Sequence, residues 1–231
     1  MTLDAIARPP SLVETVCGKL AALARHDLQN EDGWLPTERE LSTQLGVSRS
    51  VVREAAKRLE LQGLIEIRQG SGMKFVDKLH KPLSSALNLL VPDEKRRLVH
   101  LTEIRQALEP ENARLAATRA TASQKRALRQ TQNLLEQTLD FEEQIQADMD
   151  FHRLLAEASG NPIAALLMHS LSDLMQASLA HGYRRVTPAQ AIKQHSGILQ
   201  AIEKRDPAAA ARAMQRHLLS AFADLGLEHS H

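Results

Sequence analysis

Aromatic residues and cysteine are both scarce in this chain. Only 3% of its 231 residues are aromatic, so its cores must be built from Leu, Ala, Val and Ile. The single cysteine, Cys17, excludes an intrachain disulfide, and nothing suggests an oxidising compartment. Its place on the apolar face of a helical pattern over residues 11–26 favours a small core residue over a redox role.

Long apolar runs and an export signal are also missing. No run approaches the roughly 18 apolar residues that a membrane-spanning helix needs. The first four residues lack the basic segment and apolar run of a secretory signal. The sequence therefore predicts a cytoplasmic protein with no membrane partner.

Charge of one sign is not in excess either, since the formal net charge is only +1. This net charge does not by itself indicate a nucleic-acid-binding protein. A local basic face can still bind DNA when acidic residues elsewhere offset its charge. The length suits two domains. We place a linker at residues 77–82, which are polar and end in a proline, between domains at 1–76 and 83–231.

Residues 36–55 have the pattern of two short helices joined by a tight turn. Thr37 and Glu40 can form a capping box, Gly46 suits the left-handed end of the first helix, and Ser48 is a good N-cap for the second. The outer face of the second helix keeps polar and basic side chains: Arg49, Ser50, Arg53, Lys57 and Arg58. This layout is typical of a helix-turn-helix reader of the DNA major groove, and the plain alternative is a solvated charged face.

Residues 63–76 predict a β-hairpin after the second helix. Two strand-like runs, 63–68 and 73–76, flank a turn that begins with Gln69 and Gly70. Such a hairpin is the wing of a winged helix-turn-helix, and its tip is small enough to enter a minor groove. The alternative is a hairpin that only covers the core.

The rest of the chain is helix-periodic, with no strand signal of any length. We expect helices near residues 83–91, 94–119, 123–139, 142–159, 162–181, 188–204 and 207–227. The predicted fold is therefore mainly α: a winged helix-turn-helix followed by an all-α antiparallel bundle of six or seven helices.

Polar residues within this bundle suggest a metal site. Asp148 and His152 are four residues apart on one apolar-faced helix, while His195 and His217 lie in the last two helices. One carboxylate and three imidazoles could converge inside a bundle, and such a set suits Zn²⁺, Ni²⁺ or another first-row divalent ion. Because ten histidines are spread through the chain, ordinary hydrogen-bonded core histidines remain the alternative.

Residues 34–76 resemble the DNA-binding domain of the GntR family of bacterial regulators. The resemblance lies in LPTEREL at 35–41, LGVSR at 45–49, VREA at 52–55 and GSG at 70–72. It implies seven DNA contacts: Arg39, Arg49 and Arg53 to operator bases or phosphates, Ser48 and Ser50 to phosphates, and Gln69 and Gly70 to the minor groove.

Residues 83–225 are similar to the FCD effector domain of the FadR subfamily. The similarity lies in EIRQALEP at 103–110, DMDFH at 148–152, ASGNP at 158–162 and RHL at 216–218. It implies a divalent metal, Zn first and Ni or Mn as alternatives, on the ligands Asp148, His152, His195 and His217. It also implies that Arg105 faces the effector carboxylate, which a guanidinium can grip with two hydrogen bonds. The alternative for Arg105 is a surface salt bridge with Glu109.

The sequence thus predicts a ligand-responsive transcription factor, a repressor, rather than an enzyme. The resemblance further implies a homodimer on a palindromic double-stranded operator, and we expect a small organic or sugar acid to control it. Candidate pocket residues are Ser172, Gln176 and Tyr183. The alternatives are a metalloenzyme for small carboxylic acids, for which no additional acid stands out as a base, and a metal-free sensor of acyl thioesters.

Overall fold

The computed structural model describes residues 10–27, 33–68, 71–91 and 93–226. The chain divides into two units, Met1–Leu83 and Ser84–His231. Two residues of the predicted wing tip, Gln69 and Gly70, fall outside the described residues.

The first unit begins with helices whose ends are set by local capping. Its elements are α1 (Leu12–Asp27), α2 (Glu38–Leu45), α3 (Arg49–Leu61), β1 (Ile65–Arg68) and β2 (Gly72–Phe75). Thr37 and Glu40 form both halves of the predicted capping box at the start of α2. Gly46 ends α2 in the left-handed conformation, with φ of 66°, and the Ser48 hydroxyl accepts from the Val51 amide to begin α3.

The inner face of α3 packs on the core of this unit. Val52 is fully buried and Val51 only partly, so Val52 is the inward residue of the two. The core consists of Val16, Leu20, Ala24, Leu35, Leu41, Val52, Ala55, Ala56, Leu59, Ile65, Met73 and Phe75. Cys17 lies half-buried beside it, and burial raises the pKa of its thiol, as expected for a packing residue.

The predicted hairpin forms the wing. Ile65 on β1 pairs with Phe75 on β2 in antiparallel register, and both side chains face the core. Trp34 bridges to Lys74 beside β2. Its half-exposed ring lies 5.9 Å from the Arg68 guanidinium carbon and 5.8 Å from the Lys74 ammonium, within cation–π range.

The described residues of the second unit form helices joined by short turns, and no strand occurs among them. Its helices are α4 (His80–Leu90, which starts before the unit boundary), α5 (Glu94–Arg119), α6 (Ala122–Gln137), α7 (Phe141–Ala158), α8 (Pro162–Ser170), α9 (Ser172–Tyr183), α10 (Ala189–Glu203) and α11 (Pro207–Leu225). Buried alanines on α5, Ala113, Ala116 and Ala117, allow close packing in the core that α11 shares. The mainly helical fold with an N-terminal wing is confirmed.

One predicted helix, 162–181, is instead two. α8 and α9 meet at Leu171 with a bend of 56°, which brings the count of helices from α4 onward to eight across the described residues. No proline or glycine marks the break. The hydroxyls of Ser170 and Ser172 donate to the carbonyls of Leu166 and His169, and such local bonds compete with helical ones. The bend lets Leu171 bury its side chain in a small apolar cluster.

Across the described ranges, no single helix is both long enough and apolar enough to cross a membrane. Only α8 and α9 taken together, across their bend, meet the length and composition for a span.

Candidate functional site

The exposed face of the helix-turn-helix carries the predicted DNA contacts that fall within the described residues. Arg49, Ser50 and Arg53 are exposed on α3, because Val52 and Ala55 on the opposite face occupy the core. Arg39 on α2, Ser48, Lys57 and Arg58 are exposed as well. This face can present cations and hydroxyls to phosphates and base edges.

Arg53 already has a partner on this face. Its Nε and Nη2 donate to the two carboxylate oxygens of Glu38, at 3.0 and 2.7 Å. The hydrogen bond from Arg53 lowers the pKa of Glu38, and Glu38 raises that of Arg53. An exposed pair of this kind contributes little to folding but fixes the direction of the guanidinium.

The four predicted metal ligands converge in the core of the second unit. α7 supplies Asp148 and His152 one turn apart, α10 supplies His195, and α11 supplies His217. The Nε2 atom of His217 lies 3.3 Å from the Nε2 atoms of both His152 and His195. Asp148 completes the set, with Oδ1 3.3 Å from His152 Nε2 and Oδ2 3.9 Å from His195 Nε2.

The spacing of these atoms fits a metal ion. Zn–N bonds of about 2.0–2.1 Å in tetrahedral geometry separate two ligand nitrogens by roughly 3.3 Å. The three imidazoles form a buried group that could hold an ion, and Asp148 is equally buried. Asp148 Oδ1 has no hydrogen-bond partner among the described residues, so it remains available as a donor atom.

The protonation states of two imidazoles and of the carboxylate suit a metal site. Burial lowers the pKa of His195 to about 4 and that of His217 well below its usual value, so both rings are neutral at neutral pH. Burial disfavours the charged form of His152 as well, but Glu109 outweighs it and raises the pKa of that ring, so an ion there would have to displace a proton. Burial alone would raise the pKa of the Asp148 carboxyl group. The neighbouring His195 and His152 have the larger opposite effect and hold that pKa below its usual range. Neutral imidazoles and an ionised carboxylate are the forms that bind metals.

Outer groups orient the ligands. Gln194 Oε1 lies 3.1 Å from His217 Nδ1, and the Tyr183 hydroxyl donates to Asp148 Oδ2 at 2.6 Å. His195 stacks on the Phe151 ring, with centroids 4.2 Å apart and planes 6° from parallel. Contacts of this kind fix ring orientation and tautomer, so that Nε2 can point inward as an acceptor.

Glu109 is the outer group that sequence reasoning missed at this centre. Its Oε2 lies 2.5 Å from His152 Nδ1, although out of line for a hydrogen bond, and its Oε1 accepts from Arg105 Nε at 2.5 Å. Burial disfavours the charge of Glu109, but Arg105 and His152 outweigh it and lower its pKa to about 2. The only sequence signal was its i+4 spacing from Arg105.

Arg105 is buried, so its pair with Glu109 is not the surface salt bridge that was the alternative for this residue. Its Nη2 also lies 3.1 Å from His152 Nε2. A metal and Arg105 cannot both use that nitrogen, because its one lone pair serves one partner. An ion at His152 would therefore leave Nη2 free for another acceptor.

A pocket opens beside the cluster. It has a volume of about 450 Å³, including the open space at its mouth, and Arg105, Asp148 and His217 form part of its wall. Tyr183 lines it, whereas Ser172 and Gln176 are not among the described residues that do. The pocket thus gives a small molecule access to both the ligand cluster and the buried guanidinium.

Comparison with known proteins matches both units. Residues 20–75 match the family described as bacterial regulatory proteins, gntR family, and residues 100–220 match the FCD domain. A putative L-lactate dehydrogenase operon regulatory protein of Escherichia coli is 34% identical, over 92% of this chain and 86% of the relative. The transcriptional repressor NanR of Klebsiella aerogenes is also 34% identical, over 92% and 84%.

A solved structure resembles the chain as well. It is described as Streptococcus agalactiae GntR, with a TM-score of 0.76 and 29% identity, covering 90% of this chain and 98% of its own.

Proposed function

The chain belongs to the gntR family of bacterial regulatory proteins and carries an FCD domain, and from this premise we propose that it senses a small organic or sugar acid through a divalent metal. It is a ligand-responsive, DNA-binding transcriptional regulator, and its relatives include repressors.

The convergence of four buried donor atoms is the observation that carries the proposal. Asp148, His152, His195 and His217 would hold the ion. Three nitrogens and one oxygen at these spacings favour Zn²⁺, with Ni²⁺ or Mn²⁺ as alternatives. When bound, the ion supplies a Lewis-acidic position for a carboxylate oxygen. The filled donor set favours this function over a metal-free sensor of acyl thioesters.

Arg105 would bind the effector carboxylate. It lines the pocket next to the ligand cluster, and Glu109 holds its Nε from behind. Nη2, which lies 3.1 Å from His152 Nε2, would turn to the effector when His152 binds metal. Because a guanidinium recognises a carboxylate through parallel hydrogen bonds, the pocket should prefer acids to their neutral amides.

In the first unit, the exposed basic face would read the operator. We assign Arg39, Arg49 and Arg53 to bases or phosphates, and Ser48 and Ser50 to phosphates, because all five side chains are exposed on one helix-turn-helix. Gln69 and Gly70 would probe the minor groove. Regulators of this family commonly form dimers, and a two-fold dimer would require a palindromic site with half-sites about one DNA turn apart.

Regulation would follow from differential binding of the effector to two states of the dimer. A ligand shifts an equilibrium only by its difference in affinity for the two states. Couplings of about 1–3 kcal/mol give roughly 5–150-fold changes in DNA affinity, enough for repression and release.

An anisotropy titration of a labelled promoter fragment tests the proposal. Zinc-loaded protein should bind the fragment, and small carboxylic or sugar acids should change its affinity by at least about fivefold. The amides of the same acids should have no effect, and chelated protein should respond to neither. An identical response to acids with and without metal would overturn the metal-dependent part. Failure to bind any fragment of its own promoter would overturn the proposed operator.

A further inference from the structure

Seven polar side chains line the pocket beside the ligand cluster: Arg105, Asp148, Ser178, Tyr183, Gln194, His217 and Asp224. Side chains that have no partner within the protein are free to bind the parts of a ligand that lie away from Arg105 and the ligand cluster. The hydrogen bonds within the protein therefore show which of the seven remain.

Five of the seven have partners within the protein. Arg105 is bound to Glu109, and Tyr183 donates to Asp148. Gln194 contacts His217, which belongs to the metal cluster. These groups form the wall around the ligand cluster and the guanidinium, where the carboxylate end of the effector would bind under the proposed function.

Two polar side chains are left, Ser178 and Asp224. Neither has a hydrogen bond or ion pair to any other residue in the described part of the chain. Burial raises the pKa of Asp224, so this carboxyl group is partly withdrawn from water without a compensating cation. Its ionised carboxylate can only accept hydrogen bonds, which means that a ligand must bring the donor.

The apolar character of the remaining lining makes Asp224 a candidate determinant of ligand specificity. Leu179, Val186, Ala191, Ala221 and Leu225 are apolar, and they offer a ligand no hydrogen bond through their side chains. Because Asp224 is only partly buried, water can still solvate it when no ligand donor is present. The acceptor therefore favours a ligand that brings a donor, and a ligand with a second carboxylate meets like charge.

We propose that Asp224 is a specificity residue, and that the effector is a carboxylic acid with a hydroxyl or ammonium group at its far end, which donates to Asp224. This inference rests on the proposed function, because it takes the carboxylate end to lie at Arg105 and the ion. The Ser178 hydroxyl adds a second polar contact on α9. Plain fatty acids and dicarboxylic acids are disfavoured.

The test uses full-length zinc-loaded protein and a ladder of straight-chain acids from three to six carbons. At each length the plain acid is compared with its terminal hydroxy, amino and carboxy derivatives by calorimetric titration. At the length that spans the pocket, the amino or hydroxy acid should bind at least about tenfold more tightly than the plain acid. The dicarboxylic acid should bind more weakly.

Asp224→Asn should reduce the advantage of the ammonium derivative over the plain acid of the same length from about tenfold to near parity. Asp173→Asn is the matched control, because Asp173 is exposed near the start of α9 and is not part of the pocket lining. Zinc content, measured by elemental analysis, should be the same in both variants. The choice between hydroxyl and ammonium is read from wild-type protein, as the derivative that binds more tightly than the plain acid, and Asp224→Asn shows whether a preference for ammonium depends on the charge of Asp224.

Two failures are distinguishable. If plain acids bind in a zinc-dependent way but no derivative binds more tightly and Asp224→Asn changes nothing, this inference is wrong and the proposed function stands. If no acid of any kind, the sugar acids included, binds the zinc-loaded protein, the proposed function itself fails, and the inference fails with it.

Discussion

Two arginine–glutamate pairs, one in each unit, have the same chemistry and opposite surroundings. The side chains of Arg53 and Glu38 are 58% and 32% exposed on the helix-turn-helix face. Those of Arg105 and Glu109 are 4% and 2% exposed beside the ligand cluster. An exposed pair is screened by water and can exchange its partner at little cost. A buried pair cannot lose one member without leaving an uncompensated charge.

The difference separates two kinds of polar function. On the first unit, charged groups are available to a large external partner, and removing one should affect binding and leave folding nearly intact. At the buried cluster of the second unit, the charged groups are bound to one another and to the side chains proposed as metal ligands. Removing one should therefore affect folding, metal binding and effector response together.

The largest effect should come from removing ligands at the buried cluster. His195→Ala combined with His217→Ala should abolish bound metal and effector response, because it deletes two of the four donors. Elemental analysis and the anisotropy titration measure the two losses, and circular dichroism checks that the helices persist. His100→Ala, at an exposed histidine on α5, is the control and should keep full metal content. A full metal complement in the double variant would refute the assigned ligands.

A smaller but still severe effect is expected at the buried acid. Glu109→Gln should reduce the free energy of unfolding by about 3–5 kcal/mol, because it leaves Arg105 without its counter-charge. Metal affinity should fall roughly 10–100-fold as His152 loses the carboxylate behind its ring. Denaturant titration and competition with a chelator give the two values.

Glu111→Gln is the matched control for this variant. Glu111 lies two residues along the same helix, in an exposed pair with Arg114, and its substitution should leave both values nearly unchanged. Equal losses of unfolding free energy and metal affinity in the two variants would contradict the proposed difference between buried and exposed pairs.

The smallest effect should be at the exposed pair. Arg53→Ala should weaken operator binding roughly 5–150-fold and leave the denaturation midpoint unchanged, because Arg53 would contact DNA while contributing little to packing. Arg129→Ala is the control, because Arg129 lies in the second unit and forms a similarly exposed pair with Glu203. Anisotropy titrations at one salt concentration should separate the two. Equal affinities for wild type and Arg53→Ala would count against the assigned DNA face.

The parts of the fold that local chemistry determines could be predicted from sequence. Thr37, Gly46 and Ser48 each act within a few residues, so both ends of α2 and the start of α3 could be predicted. The break at Leu171 was not, because it depends on serine hydroxyls and on burial of a leucine rather than on proline or glycine.

The same distinction between local and long-range determinants holds for the candidate site. The i, i+4 spacing of Asp148 and His152 was visible, whereas the convergence of His195 and His217 depends on how α10 and α11 pack, and came from the family resemblance. Glu109 was visible only as a neighbour of Arg105, since spacing cannot show that a residue is buried. For the same reason, sequence reasoning did not find Asp224.

The chain has one tryptophan and one tyrosine, and each stands at a different functional place. Trp34 lies against Arg68 and Lys74 on the wing, and Tyr183 donates its hydroxyl to Asp148 in the pocket wall. Their spectra therefore provide separate optical reporters without any label. Indole fluorescence would follow events at the wing, and phenol absorbance would follow metal binding at the cluster if an ion binds there as proposed, so the order of the two could be timed in one sample.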